Sequence, residues 1–203
     1  MRVKVCGITR AEDARLAATL GAAAVGFIFW PASPRYVDPS RARTIVGQLP
    51  PFVTPVGVFV NQPIEHVLAV ARLAGVSAIQ LHGDEIAGDY ASLGYRVIKA
   101  VPLRGADDRA TARAVPASAT VLLDAHDPER RGGTGRPIDW TIAATIARER
   151  PVVLSGGLSA DNVSDAVRAV APYAVDVSSG VEDAPGVKNA ARLRAFFAAV
   201  EKS

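Results

Sequence analysis

Residues 151–163 read PVVLSGGLSADNV, and this stretch decides the fold. Residues 152–154 form a short apolar run, typical of a strand that is buried on both faces. Gly156 and Gly157 then turn the chain, and apolar residues recur with helical spacing from Val163 onward. A strand, a glycine turn and a helix start leave backbone N–H groups free for a phosphate or another small anion. The alternative is a plain turn in which the glycines serve only close packing.

The same strand-then-helix unit recurs along the whole chain of 203 residues. Apolar runs predict eight strands, at 3–8, 24–29, 54–60, 78–82, 96–101, 120–124, 152–154 and 174–178. Helical spacing predicts eight helices, at 11–20, 41–49, 64–74, 86–93, 108–115, 140–148, 163–170 and 190–201. Strict alternation implies parallel strands, because parallel neighbours need a crossover connection. We therefore expect an α/β fold, a (β/α)8 TIM barrel that fills residues 1–203 as one domain. A doubly wound open sheet is the competitor, and it more often has about five or six strands.

Composition narrows the class of protein further. Hydrophobic residues make up 49% of the chain and charged residues 21%, which indicates a folded globular protein. A net charge of +3, scattered along the chain, gives no indication of a nucleic-acid partner. No apolar run approaches the roughly 20 residues of a membrane span, and no secretory signal is evident. The single cysteine fits a reducing compartment, so we expect a cytoplasmic protein, monomer or homodimer, with no membrane partner.

In a barrel of this kind the chemistry lies at the C-terminal ends of the strands and in the loops that follow them. Six of the eight predicted strand ends carry a thiol, polar side chains or paired glycines. The residues concerned are Cys6, Arg35, Gln80, His82, Asp124, Gly156, Gly157, Asp176, Ser178, Ser179 and Gly180. The opposite strand ends are mostly apolar. This asymmetry predicts an enzyme or a small-ligand binder.

The loops after strands seven and eight, SGGL and SSGVE, are the pair that commonly forms a phosphate site in this fold. Gly156 and Gly157 contribute the turn, Ser178 and Ser179 contribute hydroxyl groups, and Gly180 lets the backbone approach a ligand closely. Two such loops on adjacent strands favour a phosphate over simple turn chemistry. We expect a phosphorylated small molecule as the ligand.

Two residues are candidates for proton transfer. Cys6 is either a small buried apolar residue or a thiolate that takes a proton or attacks a carbon, favoured by Lys4 on the same strand face. Asp124 closes an apolar run, where a carboxylate is costly unless it is hydrogen-bonded or used. It either caps the next loop or acts as a general acid.

Gln80 and His82 are expected to line the pocket. His82 is not expected to bind a metal ion, because no second histidine, aspartate or glutamate lies at ligand spacing from it.

Three further features lie in or near loops. Arg35, flanked by aromatic residues, is either a surface arginine or the bidentate partner of a planar carboxylate. The GGTG at 132–135 is too short for a dinucleotide fingerprint and is interpreted as a mobile lid. His126 is expected to be an exposed loop residue, although it is placed to tune Asp124.

Eight short stretches in unbroken order resemble the phosphoribosylanthranilate isomerase family. They are VKVCGIT at 3–9, SPRY at 33–36, VGVFVN at 56–61, QLHG at 80–83, LLDA at 122–125, GGTG followed by DW at 139–140, LSGGL at 154–158 and DVSSGVE at 176–182. The resemblance spans nearly the full chain. The stretches KVCGIT, QLHG and DVSSGVE together are highly specific.

The resemblance implies an Amadori rearrangement in tryptophan biosynthesis, from N-(5-phosphoribosyl)anthranilate to 1-(2-carboxyphenylamino)-1-deoxyribulose 5-phosphate. It implies that Asp124 protonates the ribose ring oxygen and that Cys6 removes the proton from C2. Arg35 would hold the anthranilate carboxylate, and the loops after strands seven and eight would hold the phosphate. The reaction has no redox step, so neither a cofactor nor a metal is expected.

Two other functions stay open on the sequence. One is an aldose–ketose isomerase acting on a related intermediate of histidine synthesis, but such sites resemble a pair of aspartates, and strand one here ends in Cys6. The other is a ligand-binding barrel without catalytic activity. The joint presence of Cys6, Asp124 and Arg35 argues against it, and turnover of substrate distinguishes the two.

Overall fold

The computed structural model describes residues 1–105, 107–125 and 138–203. Its barrel consists of β1 Arg2–Val5, β2 Ala24–Ile28, β3 Thr54–Phe59, β4 Ala78–Leu81, β5 Arg96–Leu103, β6 Ala119–Ala125, β7 Val152–Leu154 and β8 Ala174–Val177. The helices are α1 Ala11–Thr19, α2 Pro39–Val46, α3 Ile64–Ala74, α4 Asp108–Ala114, α5 Trp140–Ala147, α6 Val163–Val170 and α7 Ala190–Glu201. Each strand pairs in parallel with the next, and β1 pairs with β8 to close the barrel. The predicted (β/α)8 barrel is confirmed.

Two helices differ from the prediction. The helix expected at 86–93 is only a 3₁₀ turn, Ala87–Tyr90, because Gly88 and Asp89 are poor helix formers and the segment is short. Helix α2 begins two residues early, at Pro39, since Asp38 accepts the N–H groups of Ser40 and Arg41 as the N-cap. Among the described residues, no helix combines the length and the apolar character needed to cross a membrane.

The sequence interpretation missed a hairpin between β8 and α7. It pairs β9, Glu182–Ala184, with β10, Val187–Lys188, in antiparallel fashion. Gly186 makes the turn with φ of 80°, a conformation that favours glycine. Strands of three and two residues are too short for a periodicity to show. The hairpin matters because it carries Lys188 back against the carboxyl ends of β1 and β8.

The core has two layers. The larger one lies between the strands and the helices, and a smaller apolar plug fills the barrel interior. The plug consists of Ala100, Leu122, Val153 and Ala174, with Ile98 packed against it. Since strand side chains alternate, the next inward positions toward the carboxyl ends follow two residues later. Three of these four positions carry Asp124, Ser155 and Asp176, so polar side chains lie directly above the plug.

Candidate active site

A cavity of about 670 Å³ opens above the plug, at the carboxyl ends of the strands. This volume is suited to one small ligand. Seven of the residues predicted from the sequence line it: Cys6, Arg35, Gln80, His82, Asp124, Asp176 and Ser178. The other four, Gly156, Gly157, Ser179 and Gly180, come directly after the lining residues Ser155 and Ser178, which follow β7 and β8. The structure therefore gathers the predicted residues at one end of the barrel.

The Cys6 thiol lies just past the end of β1 and is 6% exposed. Gly26 of β2 makes room for it, because a Cβ there would lie 2.9 Å from Sγ and 3.1 Å from the Lys4 ammonium. Burial raises the pKa of the Cys6 thiol above its usual value, and Lys4 and Lys188 offset this only in part. The expectation that Lys4 favours the thiolate is right in direction. Its effect is incomplete because Asp176 shares the Lys4 charge at 2.9 Å.

Asp124 ends a chain of hydrogen bonds that crosses from β4 to β6. Its Oδ2 lies 3.1 Å from Nε2 of His82, and its Oδ1 accepts the N–H of Ala125 at 2.9 Å. The other ring nitrogen of His82, Nδ1, lies 2.9 Å from the Gln80 amide nitrogen. An amide N–H that donates to Nδ1 places the ring proton on Nε2, where it points at Asp124. The Gln80 Oε1 atom is buried without a hydrogen-bond partner among the described residues.

Arg35 is held by a carboxylate that the sequence interpretation did not single out. Its Nε and Nη2 atoms lie 3.0 and 2.8 Å from Oε2 of Glu182, and Nε also lies 3.1 Å from Oε1. This contact uses one edge of the planar guanidinium group. The other edge, which includes Nη1, forms no hydrogen bond with a described residue and is available to a ligand carboxylate. The only sequence signal for Glu182 is its place in the DVSSGVE stretch.

The loops after β7 and β8, which were predicted to form a phosphate site, come into direct contact. A side chain at Gly180 would collide with the Leu158 carbonyl oxygen. Gly156 and Gly157 have φ of 87° and 65°, a conformation that favours glycine, and a Cβ at Gly156 would lie 2.9 Å from the Ala125 nitrogen. Neither glycine donates its N–H to another described residue. Asn162 holds the turn, since its Nδ2 donates to the Gly157 carbonyl oxygen at 2.9 Å.

Two residues expected to bind substrate already have partners within the protein. Asp176 is 5% exposed, and its Oδ1 accepts the Lys4 ammonium at 2.9 Å. The Ser178 hydroxyl donates to the Cys6 carbonyl oxygen at 3.2 Å, because β8 lies beside β1. Substrate binding by Asp176 and Ser178 stays a prediction, and in the structure both side chains contact residues next to or at Cys6.

The expected lid at 132–135 and His126 lie outside the described residues.

Comparison of the chain with known protein families, sequences and structures agrees with this geometry. The family model for N-(5'-phosphoribosyl)anthranilate (PRA) isomerase matches residues 3–199. A relative of that name from Pelobacter propionicus is 48% identical over 197 residues, which cover 97% of this chain and 94% of the relative. The crystal structure of the Thermus thermophilus enzyme is 45% identical and covers 100% of this chain and 99% of its own, with a TM-score of 0.90. Another, 40% identical with a TM-score of 0.88, covers 100% of both chains and is a complex with reduced 1-(o-carboxyphenylamino)-1-deoxyribulose 5-phosphate. The chain belongs to the N-(5'-phosphoribosyl)anthranilate isomerase family.

Proposed function

We propose that this cavity isomerises N-(5'-phosphoribosyl)anthranilate to the aminoketose, with Asp124 as general acid and Cys6 as general base. One observation carries the assignment. A single thiol just past the end of β1 and a carboxyl group on β6 line the same cavity, which has room for one phosphorylated ligand. The rearrangement needs one group that donates a proton and another that accepts one. No electrons are exchanged with an outside acceptor, so the chain needs no redox cofactor for this reaction.

In the first step Asp124 donates a proton to the ring oxygen of the ribose. The bond between C1 and that oxygen breaks, and the nitrogen lone pair forms the C1=N double bond of a Schiff base. The His82 imidazole, 3.1 Å from Asp124, supports either state of the acid. In the arrangement described above it donates to the carboxylate. With the Gln80 amide rotated, Oε1 accepts the proton of Nδ1, and Nε2 accepts the proton of a carboxylic acid.

In the second step the Cys6 thiolate takes the proton from C2. The electron pair of the C2–H bond forms the C1=C2 double bond of an enolamine, and the Schiff-base nitrogen receives the electrons of the C=N bond. Tautomerisation moves the C2 hydroxyl proton away and adds a proton at C1, which gives the ketone. The Lys4 and Lys188 charges favour the thiolate against the cost of burial.

The ends of the substrate have matching partners. The free edge of the Arg35 guanidinium suits the anthranilate carboxylate in a bidentate contact. The N–H groups of Gly156 and Gly157, at the turn before α6, suit the phosphate. These two anchors fix the ribose between Cys6 and Asp124. Asp176 and Ser178 act through Lys4 and the Cys6 backbone rather than as anchors.

The purified protein is expected to consume N-(5'-phosphoribosyl)anthranilate, followed as loss of substrate fluorescence. A protein that bound the substrate without turnover would be a ligand-binding barrel and would contradict the proposal. The histidine-pathway aminoaldose serves as the control substrate. Turnover of that compound alone would favour the alternative isomerase.

We expect Arg35→Ala to raise KM by about 10²-fold and to change kcat much less, because the carboxylate contact persists throughout the reaction. Steady-state kinetics measure the two constants separately. Arg41→Ala, an exposed arginine of α2, is the matched control and should leave both unchanged. An unchanged KM in Arg35→Ala would show that another residue binds the carboxylate.

The free thiol of Cys6 supports a cytoplasmic location for the enzyme. A monomer or homodimer stays a prediction.

A further inference from the structure

The ammonium of Lys188 is the most buried cation beside the site, with a fully buried side chain. Three acceptors surround its Nζ atom: the Cys6 carbonyl oxygen at 2.5 Å, Glu182 Oε1 at 2.7 Å and the Ser178 carbonyl oxygen at 3.3 Å. An ammonium has three N–H donors, one for each acceptor, whereas a neutral amine has only two. Burial lowers the pKa of Lys188, and Glu182 opposes that change. The match of donors to acceptors favours the charged form.

Charged groups approach Cys6 from several elements. They are Lys4 on β1, Arg35 after β2, Asp176 on β8, Glu182 on β9 and Lys188 on β10, with His82 and Asp124 lining the same cavity. The groups from β1, β8, the hairpin and the loop after β2 comprise three cations and two carboxylates. With a neutral thiol they carry one excess positive charge, and a thiolate at Cys6 balances it. Because four of these side chains are buried and Arg35 is only partly exposed, solvent screens their charges weakly.

We propose that Lys188, held by Glu182, is a positioning residue that supplies the excess positive charge and thereby sets the fraction of Cys6 present as thiolate. This inference rests on the proposed function, in which Cys6 is the base. The geometry gives Lys188 two routes to Cys6. Its charge acts directly on the thiol, and its hydrogen bonds to the Cys6 and Ser178 carbonyl oxygens fix the end of β1 against β8. Glu182 pairs with both Lys188 and Arg35, so its negative charge partly offsets the positive electrostatic potential that Lys188 creates at Cys6.

Two substitutions distinguish this role from simple packing because they act in opposite directions. Lys188→Met removes one positive charge but keeps an unbranched side chain, so it disfavours the thiolate. Glu182→Gln keeps the shape but removes a negative charge, so it favours the thiolate. If Lys188 and Glu182 only held the hairpin against the barrel, both substitutions would loosen that packing. The reactivity of the Cys6 thiol would then change in the same direction in both variants.

The rate of alkylation by iodoacetamide at a fixed pH measures the thiolate, and the chain has a single cysteine to report it. We expect alkylation to be about tenfold slower in Lys188→Met and severalfold faster in Glu182→Gln. A tenfold change in rate corresponds to a change of about one in the pKa of the Cys6 thiol. Lys188→Arg keeps the charge and should stay near the wild-type rate. Lys202→Met, an exposed lysine after α7, is the control and should also match wild type.

Rates that change in the same direction in both variants, or that do not change, overturn the inference. If Lys188→Met fails to fold, faster alkylation of Glu182→Gln supports the inference and an unchanged or slower rate contradicts it. A different outcome would contradict the proposed function but not this inference. In that outcome the alkylation rates change as expected, but the values of kcat/KM at low pH do not rank the variants in the same order as the alkylation rates.

Discussion

Asp124→Asn is expected to lower kcat by about 10² to 10⁴-fold and to leave KM close to the wild-type value. The substitution keeps the shape of the side chain and its contact distance to His82, but the amide has no acidic proton to give to the ring oxygen. Ring opening then depends on solvent. The anchors at Arg35 and at the Gly156 turn are untouched, so substrate binding should persist.

Steady-state kinetics measure this change, with circular dichroism to verify the fold. Asp165→Asn, an exposed aspartate of α6, is the matched control and should retain full activity. A folded Asp124→Asn protein with more than about a tenth of wild-type kcat would pass the acid role to another group, and His82 would be the first to test.

Cys6→Ser is expected to reduce kcat by a similar factor, about 10² to 10⁴-fold. Serine keeps nearly the same shape, but its hydroxyl is far harder to ionise than a thiol and cannot accept the C2 proton at neutral pH. The surroundings are closely fitted, with Gly26 on one side and the Lys4 ammonium nearby, so a conservative replacement is needed to keep the packing. Binding of the reduced product analogue should remain within a few-fold of wild type, measured by calorimetry.

The pH dependence provides a second signature of Cys6. Burial raises the pKa of its thiol, so the thiolate is a minor species near neutrality and grows as the pH rises. The value of kcat/KM should therefore increase from neutral toward alkaline pH as the Cys6 thiolate fraction grows. The residual activity of Cys6→Ser should lack that increase. A Cys6→Ser protein with the wild-type profile would contradict the thiolate role.

The sequence predicts the barrel well because its signals are local. The bounds of α3, α7 and β7 match the predicted ones, since glycine stops and apolar periodicity define them within a few residues. The positions of Cys6 and Asp124 follow from the same logic, because strand ends in a parallel barrel meet at one edge. The helix expected at 86–93 was wrong, since weak helix formers leave a 3₁₀ turn there, and the short hairpin of β9 and β10 was missed.

The partners of the site residues could not be predicted, because they depend on contacts between distant parts of the chain. Lys188 binds the carbonyl oxygen of Cys6 across 182 positions, from a strand of two residues that has no periodicity. The pairing of Arg35 with Glu182 joins the loop after β2 to the hairpin after β8. The raised pKa of Cys6 could not be predicted for the same reason, since burial and the Asp176 charge arise only from the folded packing.

The assignment of Asp124 as the acid and Cys6 as the base is tested most directly by a kinetic isotope effect. The effect on kcat of deuterium at C2 of the substrate is measured in Cys6→Ser and in Asp124→Asn. A weakened base makes cleavage of the C2–H bond limit the rate, so Cys6→Ser should show a larger isotope effect than wild type. A weakened acid makes ring opening limit the rate before that bond breaks, so the isotope effect should vanish in Asp124→Asn. Equal isotope effects in the two variants, or the larger one in Asp124→Asn, would contradict the assignment of Cys6 as base and Asp124 as acid.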